Sequence, residues 1–212
     1  MGYHIVVEAL RKEILSGARQ PGSVLLQTEI AKKYNISRIP VRDALATLAI
    51  ERLVISQPNM GARVIDLTID EIREVYEMRI SLECRCLQKA LVNKSISYVE
   101  NVEYHLQKSS IEANRAGWAL GDAEFHNSLY SAANRPLHFR MISELRQLCQ
   151  IHTKHYLKLT QSTEHWISQH EQIVDALRAN NAQSCVSLLE KHLLDTRDFL
   201  LTEIKSSTTS KT

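Results

Sequence analysis

The chain has 212 residues, a formal net charge of +2 and a hydrophobic content of 44%, which excludes an intrinsically disordered or collagen-like protein. The chain has only six glycines and four prolines, the residues that most often form turns. No apolar run approaches the ~18 residues that a membrane span requires. The four cysteines lack Cys-x-x-Cys spacing. The sequence therefore predicts a mostly helical cytoplasmic protein with reduced thiols and no membrane partner.

Charge and turn residues divide the chain near residue 68. Residues 1–68 hold 9 Lys and Arg against 6 Asp and Glu, whereas the remainder holds 17 against 18. A modestly basic small domain beside a near-neutral larger one is typical of a nucleic-acid reader joined to a second domain. We expect one domain over 1–68, a larger helical domain over 69–205 and a disordered Ser/Thr-rich tail over 206–212.

Three helices are predicted in the first domain. Val6, Leu10 and Ile14 recur at helical spacing and give the first helix one apolar face. A second, short helix is predicted over 27–34. After a turn, Ser37 is a good N-cap for a third helix.

Two short strands are predicted after the third helix, over 53–55 and 63–65, around a turn that contains Pro58 and Gly61. Three helices followed by a β-hairpin are the element order of a winged helix-turn-helix. In that fold the second helix of the pair enters the DNA major groove by its N-terminal end, and the hairpin reaches the adjacent backbone. The order of elements therefore predicts double-stranded DNA as a partner.

The N-terminal end of the third helix carries the candidate DNA contacts. Arg38 and Arg42 are spaced i,i+4 on one face, with Ser37 and Ile39 beside them. Arginine binds guanine bidentately or clamps a phosphate, and a helix N-terminus itself favours phosphate. The alternative is that both arginines are ordinary solvent-exposed residues that pair with neighbouring carboxylates.

The run Leu25–Ile65 resembles the winged helix-turn-helix of the GntR family of bacterial transcription regulators, whose S-R-x-P-V-R-[ED]-A-L signature stands here at Ser37–Leu45. The resemblance implies one set of positions at the surface facing operator DNA: Ser37, Arg38, Ile39, Arg42 and, at the tip of the wing, Gly61. At the corner between the third helix and the wing, Arg52 stands where the family usually has glycine. We expect Arg52 to contact a phosphate rather than to take over the helix-capping role of that glycine.

The rest of the chain is predicted to form long helices with short connections. Thr68–Glu71 is a capping box that opens one helix, and Ser97–Glu100 opens another. Four more helices are predicted over 118–133, 136–159, 163–179 and 181–204. The predicted fold class is therefore mostly α, with an N-terminal winged helix-turn-helix followed by an antiparallel bundle of about six helices.

A possible metal site lies within these helices. Asp122 and His126 are spaced i,i+4 and share a helix face, while His170 and His192 lie on apolar-flanked faces of the last two helices. Three imidazoles and a carboxylate form a donor set that suits Zn, Ni, Mn or Fe. Since the chain has nine histidines, the alternative is that these are hydrogen-bonded core residues.

The segment Ile72–Glu83, followed by this D-x-x-x-H pair and two later histidines, resembles the FCD effector domain of the FadR subfamily of GntR regulators. The resemblance implies a divalent transition metal on four ligands: Asp122, His126, His170 and His192. It also implies a small carboxylate effector beside the metal, and it matches Arg79 to an arginine that binds the effector carboxylate. The alternative for Arg79 is a salt bridge with Glu83.

Together these features predict a ligand-responsive transcription regulator, a repressor, whose affinity for a palindromic operator depends on a small organic acid at the metal site. One recognition helix reads too few base pairs alone, so we expect a homodimer. The alternatives are a metal-sensing regulator and a metalloenzyme that uses the same site. No H-E-x-x-H, nucleophile elbow or phosphate loop supports catalysis, and we expect no enzymatic activity.

Overall fold

The computed structural model describes residues 2–57, 61–113, 115, 117–152 and 163–209. The chain forms two compact units. The first consists of Met1–Ile72 and Arg146–Tyr156, and the second of Arg73–Leu145 and Leu157–Thr212. Among the described helices, none combines the length and the apolar character that a membrane crossing requires.

A winged helix-turn-helix forms most of the first unit. Its elements are α1 (Gly2–Leu15), β1 (Val24–Leu25), α2 (Gln27–Tyr34), α3 (Arg38–Ile50), β2 (Val54–Gln57) and β3 (Gly61–Val64). The strands form an antiparallel sheet in the order β1-β3-β2. The predicted three helices and hairpin are confirmed. The sequence missed β1, because two residues are too few to display the alternation that marks a strand.

Apolar positions at helical spacing build the core of the first unit. Val6, Leu10 and Ile14 of α1 are fully buried, as their spacing predicts. They belong to one buried cluster with Val41 and Leu48 of α3, on which α1 packs. Because α3 turns these apolar residues inward, the opposite face of the same helix is left to solvent.

Helix α3 ends in a Schellman motif around Arg52, which has a φ of +58°. Glu51 is the C-cap, the Arg52 N–H donates to the Ala49 carbonyl (3.0 Å), and the Leu53 N–H donates to the Leu48 carbonyl (2.9 Å). Arg52 therefore adopts the left-handed conformation that glycine takes without steric cost. The expectation that Arg52 does not take over the glycine's capping role is wrong.

The Arg52→Gly variant is expected to raise the free energy of unfolding of the first unit by about 0.5–1 kcal/mol. The left-handed conformation costs a non-glycine residue about 1–2 kcal/mol, which the larger unfolded-state entropy of glycine partly offsets. Chemical denaturation of the full chain measures the change. Arg52→Ala is the matched control, since it removes the side chain and keeps the strain, and equal stability of the two variants would contradict the prediction.

In the described part of the chain six further helices follow, as predicted. They are α4 (Ile69–Val92), α5 (Ile96–Ile111), α6 (Trp118–Tyr130) with a short 3-10 turn (Ser131–Ala133), α7 (Pro136–Ile151), α8 (Thr163–Arg178) and α9 (Ala182–Thr209). In the second unit α5 packs on α6 and α8, and α8 packs on α9. Fully buried apolar side chains from five of these helices form its core: Leu87, Val102, Phe125, Leu129, Ile173, Val174, Leu189 and Leu193.

The starts of α4 and α5 differ in how well the sequence predicts them. The capping box of α4 is confirmed, because the Thr68 N–H donates to Glu71 Oε2 (2.7 Å) and the Glu71 N–H donates to Thr68 Oγ1 (3.2 Å). For α5 the N-cap is Ser95 rather than Ser97, and its Oγ accepts from the Tyr98 N–H (3.1 Å). This earlier start places the Tyr98 ring in the core, where its hydroxyl donates to a backbone carbonyl of α6 (2.8 Å).

Two predicted boundaries in the second half of the chain need revision or lie outside the described residues. Helix α9 continues to Thr209, so residues 206–209 are helical rather than part of a disordered tail, since neither glycine nor proline interrupts the helix there. Residues 210–212 lie outside the described part of the chain. Residues 153–159, the end of the helix predicted over 136–159, also lie outside the described part of the chain.

The last residues of α7 belong to the first unit. Ile151 is fully buried in the same cluster as the α1 and α3 residues. His152 accepts the Leu67 N–H at Nε2 (3.0 Å) and donates from Nδ1 to the Leu148 carbonyl (3.0 Å). Burial lowers the pKa of His152, which favours the neutral imidazole that this pair of hydrogen bonds requires.

Candidate functional site

The candidate DNA-contact residues lie on one exposed face of α3. The side chains of Arg38, Ile39 and Arg42 face away from the core, and Ile39 is 62% exposed. Ser37 is the N-cap by its backbone conformation, but its hydroxyl makes no capping hydrogen bond. Arg42 donates from Nη2 to Oδ1 of Asp43 (3.2 Å), an exposed pair of the kind that the solvated-face alternative predicts. The structure therefore brings four of the five predicted contact residues to one solvent-facing surface.

Gly61 lies at the first position of β3 rather than on an exposed tip. It is buried and has a φ of +113°, and a Cβ atom at this position would lie 2.2 Å from the backbone oxygen of Leu25. Residues 58–60, which connect β2 to β3, lie outside the described residues. A glycine is therefore needed at position 61 because β1 approaches β3 too closely there for a side chain.

Three imidazoles converge in the second unit. His126 of α6, His170 of α8 and His192 of α9 are all buried, and one ring nitrogen from each lies within 4.8 Å of the other two. Asp122 lies one turn before His126, and its Oδ1 is 3.7 Å from Nε2 of both His126 and His170. The three histidines therefore converge, and Asp122 lies beside two of them.

Aromatic side chains enclose this cluster. The ring of Phe125 stacks on His170 with a centroid distance of 4.3 Å, and Trp166 approaches His192 edge-on at 5.6 Å. Phe125 directly precedes His126 on α6, and Trp166 lies one turn before His170 on α8, so each of these helices supplies one aromatic side chain and one histidine of the cluster. These aromatic walls restrict the orientation of the imidazole rings.

A buried polar chain supports His126 on its outer side. Its Nδ1 lies 3.3 Å from the hydroxyl of Tyr130, which donates to Oε2 of Glu83 (2.6 Å). Arg79 donates from Nε to Oε1 of Glu83 (2.8 Å), and its guanidinium lies over the ring of Tyr76 at 4.7 Å. Arg79 therefore forms the salt bridge that the sequence offered as one of its two roles.

A second polar chain supports His192. Its Nδ1 lies 2.8 Å from Oε1 of Gln169, and Nε2 of Gln169 donates to Oδ2 of Asp195 (2.6 Å). Gln169 is only 8% exposed. Two of the three converging histidines thus have a defined partner on the nitrogen that faces away from the cluster, an arrangement typical of metal-ligating histidines.

The distances fit a divalent transition metal. In a tetrahedral site with metal–nitrogen distances of about 2.0–2.1 Å, ligand atoms lie about 3.4 Å apart. The Nε2 atoms of His170 and His192 are 3.3 Å apart. The same separation also allows a hydrogen bond between the two rings, which is the core-histidine alternative. Three imidazole nitrogens and a carboxylate oxygen suit Zn, Ni, Mn or Fe.

The sequence missed the outer partners of the histidines. Asp195 is three residues after His192 and shares its helix face, so spacing could have indicated it. Tyr130 is four residues after His126, so spacing could have indicated it in the same way. Gln169 gave no such signal, because a polar residue beside an apolar face is common in any amphipathic helix.

Comparison with known proteins gives the family. The model of the bacterial regulatory proteins of the gntR family matches residues 3–64, and the model of the FCD domain matches residues 74–195. The gluconate operon transcriptional repressor of Bacillus subtilis is 27% identical over 201 residues, which cover 91% of this chain and 82% of that protein. The HTH-type transcriptional repressor RspR of Escherichia coli is 25% identical, with 89% and 84% covered.

Solved structures agree with these sequence matches. McbR/YncC of E. coli has a TM-score of 0.80 at 19% identity, over 96% of this chain and 99% of that chain, which supports the fold alone. A GntR transcriptional regulator from Rhodococcus sp. RHA1 has a TM-score of 0.76 at 25% identity, with 94% and 97% covered. The relatives are transcription regulators and not enzymes. The chain therefore belongs to the GntR family of bacterial transcription regulators, with an N-terminal DNA-binding domain and a C-terminal FCD domain.

Proposed function

We propose that this regulator is a homodimeric repressor whose affinity for a palindromic operator changes when a small carboxylate binds at a metal in the FCD domain. The observation that carries this proposal is the convergence of three buried histidines from three helices, His126, His170 and His192, with Asp122 beside two of them. The metal would hold open positions for a carboxylate, which an apolar helical core otherwise lacks.

The protein's own residues supply the rest of the site. The imidazoles present nitrogen atoms, the aromatic walls limit the entry of water, and Asp122 contributes the negative charge that a divalent cation favours. One relative named above represses a gluconate operon, and gluconate is a 2-hydroxy acid, a class that chelates a metal through two oxygens. This supports both the repressor role and the carboxylate class of effector.

The exposed face of α3 supports the DNA-binding part of the proposal. Two such faces in a symmetric dimer can read the two halves of a palindrome, because one recognition helix contacts only a few base pairs. An effector that binds one arrangement of the dimer more tightly shifts the population between arrangements and so changes DNA affinity.

The metal site is tested with a His126→Ala/His192→Ala double variant. Elemental analysis is expected to find about one divalent metal per wild-type chain and none in the variant. His165→Ala is the matched control, since His165 is an exposed histidine on α8. Equal and negligible metal in all three proteins would mean that these histidines are hydrogen-bonded core residues and not metal ligands, which would contradict the proposal.

Regulation is tested with operator DNA selected from a random pool by the wild-type protein. Gluconate is expected to change the DNA affinity of the metal-loaded wild type about 5- to 150-fold and to leave the double variant unchanged. A change produced by the metal alone, without any acid, would favour a metal-sensing regulator instead. An affinity that responds to neither metal nor acid would contradict both functions.

The Arg42→Ala variant is expected to weaken binding to the selected operator by about 1–3 kcal/mol per half-site, while the first unit stays folded. The Arg42–Asp43 pair is exposed, and exposed pairs contribute little to stability. Electrophoretic mobility shift or fluorescence anisotropy measures the loss. Arg85→Ala, which removes an exposed arginine of the FCD domain, is the control. If both variants bind the operator with equal affinity, Arg42 does not contact the DNA.

A further inference from the structure

The amide of Gln169 is held between two different partners. On one side Oε1 faces Nδ1 of His192 at 2.8 Å, and on the other side Nε2 faces Oδ2 of Asp195 at 2.6 Å. Gln169 precedes His170 on α8, whereas both of its partners are on α9. The amide thus joins the two helices beside the histidine cluster.

The partners decide which way the amide points. The carboxylate of Asp195, when ionised, only accepts hydrogen bonds, so it must face the NH2 end of the Gln169 amide. The oxygen end then faces His192, and an amide oxygen also only accepts. The proton of neutral His192 must therefore be on Nδ1, which leaves the lone pair of Nε2 directed toward His170 and the centre of the cluster.

We propose that Gln169 and Asp195 are a positioning pair, which fixes His192 in the Nδ1–H tautomer before any ligand binds. This inference rests on the proposed metal function of the cluster, although the tautomer itself does not depend on a metal. Without the pair, His192 can carry its proton on Nε2, where that proton blocks ligation. Removing such outer partners typically lowers metal affinity 10- to 100-fold.

Three variants separate positioning from simple structural support. Gln169→Leu keeps the size of the side chain and removes both hydrogen bonds, and Asp195→Asn allows the amide of Gln169 to point either way. The Gln169→Glu/Asp195→Asn double variant keeps the net charge and exchanges the two groups, so that the carboxylate is at position 169 and the amide at position 195. Its carboxylate at position 169 accepts from both Nδ1–H of His192 and the new amide, so it restores the tautomer. Gln172→Leu and Asp198→Asn are controls, since both positions are exposed on the same two helices.

Two readouts are used on the full chain. Long-range ¹H–¹⁵N correlation spectra of the metal-free protein report the tautomer of His192, whose signals are identified by their loss in His192→Ala. Isothermal titration with Zn²⁺ reports metal affinity. We expect Gln169→Leu to lose the pure Nδ1–H signature and to bind Zn²⁺ about 10- to 100-fold more weakly. We expect Asp195→Asn to give a mixture of tautomers, and the double variant to recover both properties.

The possible results distinguish this proposal from the proposed function. If Gln169→Leu binds Zn²⁺ as tightly as the wild type and His192 stays in the Nδ1–H form, the positioning role is wrong. If the double variant loses affinity as much as Gln169→Leu does, the pair acts only through packing, which also overturns the proposal. If the wild type binds no metal, the proposed function fails, and the metal-free spectra still decide the tautomer. Should Gln169→Leu fail to fold, Asp195→Asn and the double variant supply the same comparison.

Discussion

The Arg79→Ala variant is expected to lower the free energy of unfolding of the second unit by about 3–5 kcal/mol. Arg79 and Glu83 form an i,i+4 salt bridge with side chains only 6% and 0% exposed. The variant leaves the Glu83 carboxylate buried without the guanidinium, although Tyr130 still donates to it. A buried charge that loses its counter-ion is far more costly than an exposed one, because water cannot replace the partner.

Thermal and chemical denaturation of the full chain measure this loss. Arg85→Ala removes an exposed arginine of the same helix and is expected to change stability by less than about 0.5 kcal/mol. An Arg79→Met/Glu83→Gln double variant removes both charges and should recover much of the loss, since a buried pair adds little net stability over neutral residues. A loss in Arg79→Ala as small as that in Arg85→Ala would contradict the prediction.

The Gly61→Ala variant is expected to destabilise the first unit by about 3 kcal/mol. The backbone at Gly61 has a φ of +113°, a region that costs other residues about 1–3 kcal/mol. The new Cβ would also lie 2.2 Å from the backbone oxygen of Leu25, so β1 and β3 must separate. Separation weakens the sheet that anchors the wing, and we therefore expect DNA affinity to fall together with stability.

A second glycine with positive φ provides the comparison for Gly61. Gly22 has a φ of +74°, and a Cβ there would meet the end of the Asp66 side chain at 2.9 Å, which can move aside. Gly22→Ala is therefore expected to cost clearly less than Gly61→Ala when both are measured by chemical denaturation. The reverse order, or equal costs, would count against the close approach as the cause.

Regular periodicity made most of the helices predictable. The apolar rows of α1 and α3 give their buried faces directly, and the capping box at Thr68 marks the start of α4. The exceptions depend on tertiary structure. β1 exists only because β3 pairs with it, and Ser95 rather than Ser97 caps α5 because the earlier start places Tyr98 in the core.

The candidate metal ligands were predictable for a different reason. The spacing of Asp122 and His126 places them on one helix face, and the antiparallel packing of helices allows the later histidines to converge on them. The left-handed backbone of Arg52 was not predictable from its residue type, since arginine rarely adopts it. Nor was the orientation of the Gln169 amide, because it depends on which acceptors surround it in the folded chain.

The burial of Ile151 and the hydrogen bond from Leu67 to His152 make the DNA-binding unit discontinuous in sequence. During synthesis residues 146–152, which complete this core, are made only after residues 73–145 have been translated. A recombinant fragment that ends at residue 72 would lack the side chain of Ile151 and leave the Leu67 N–H without His152. Isolated DNA-binding fragments of this protein therefore need residues 146–152 supplied through a short linker if they are to keep their native core.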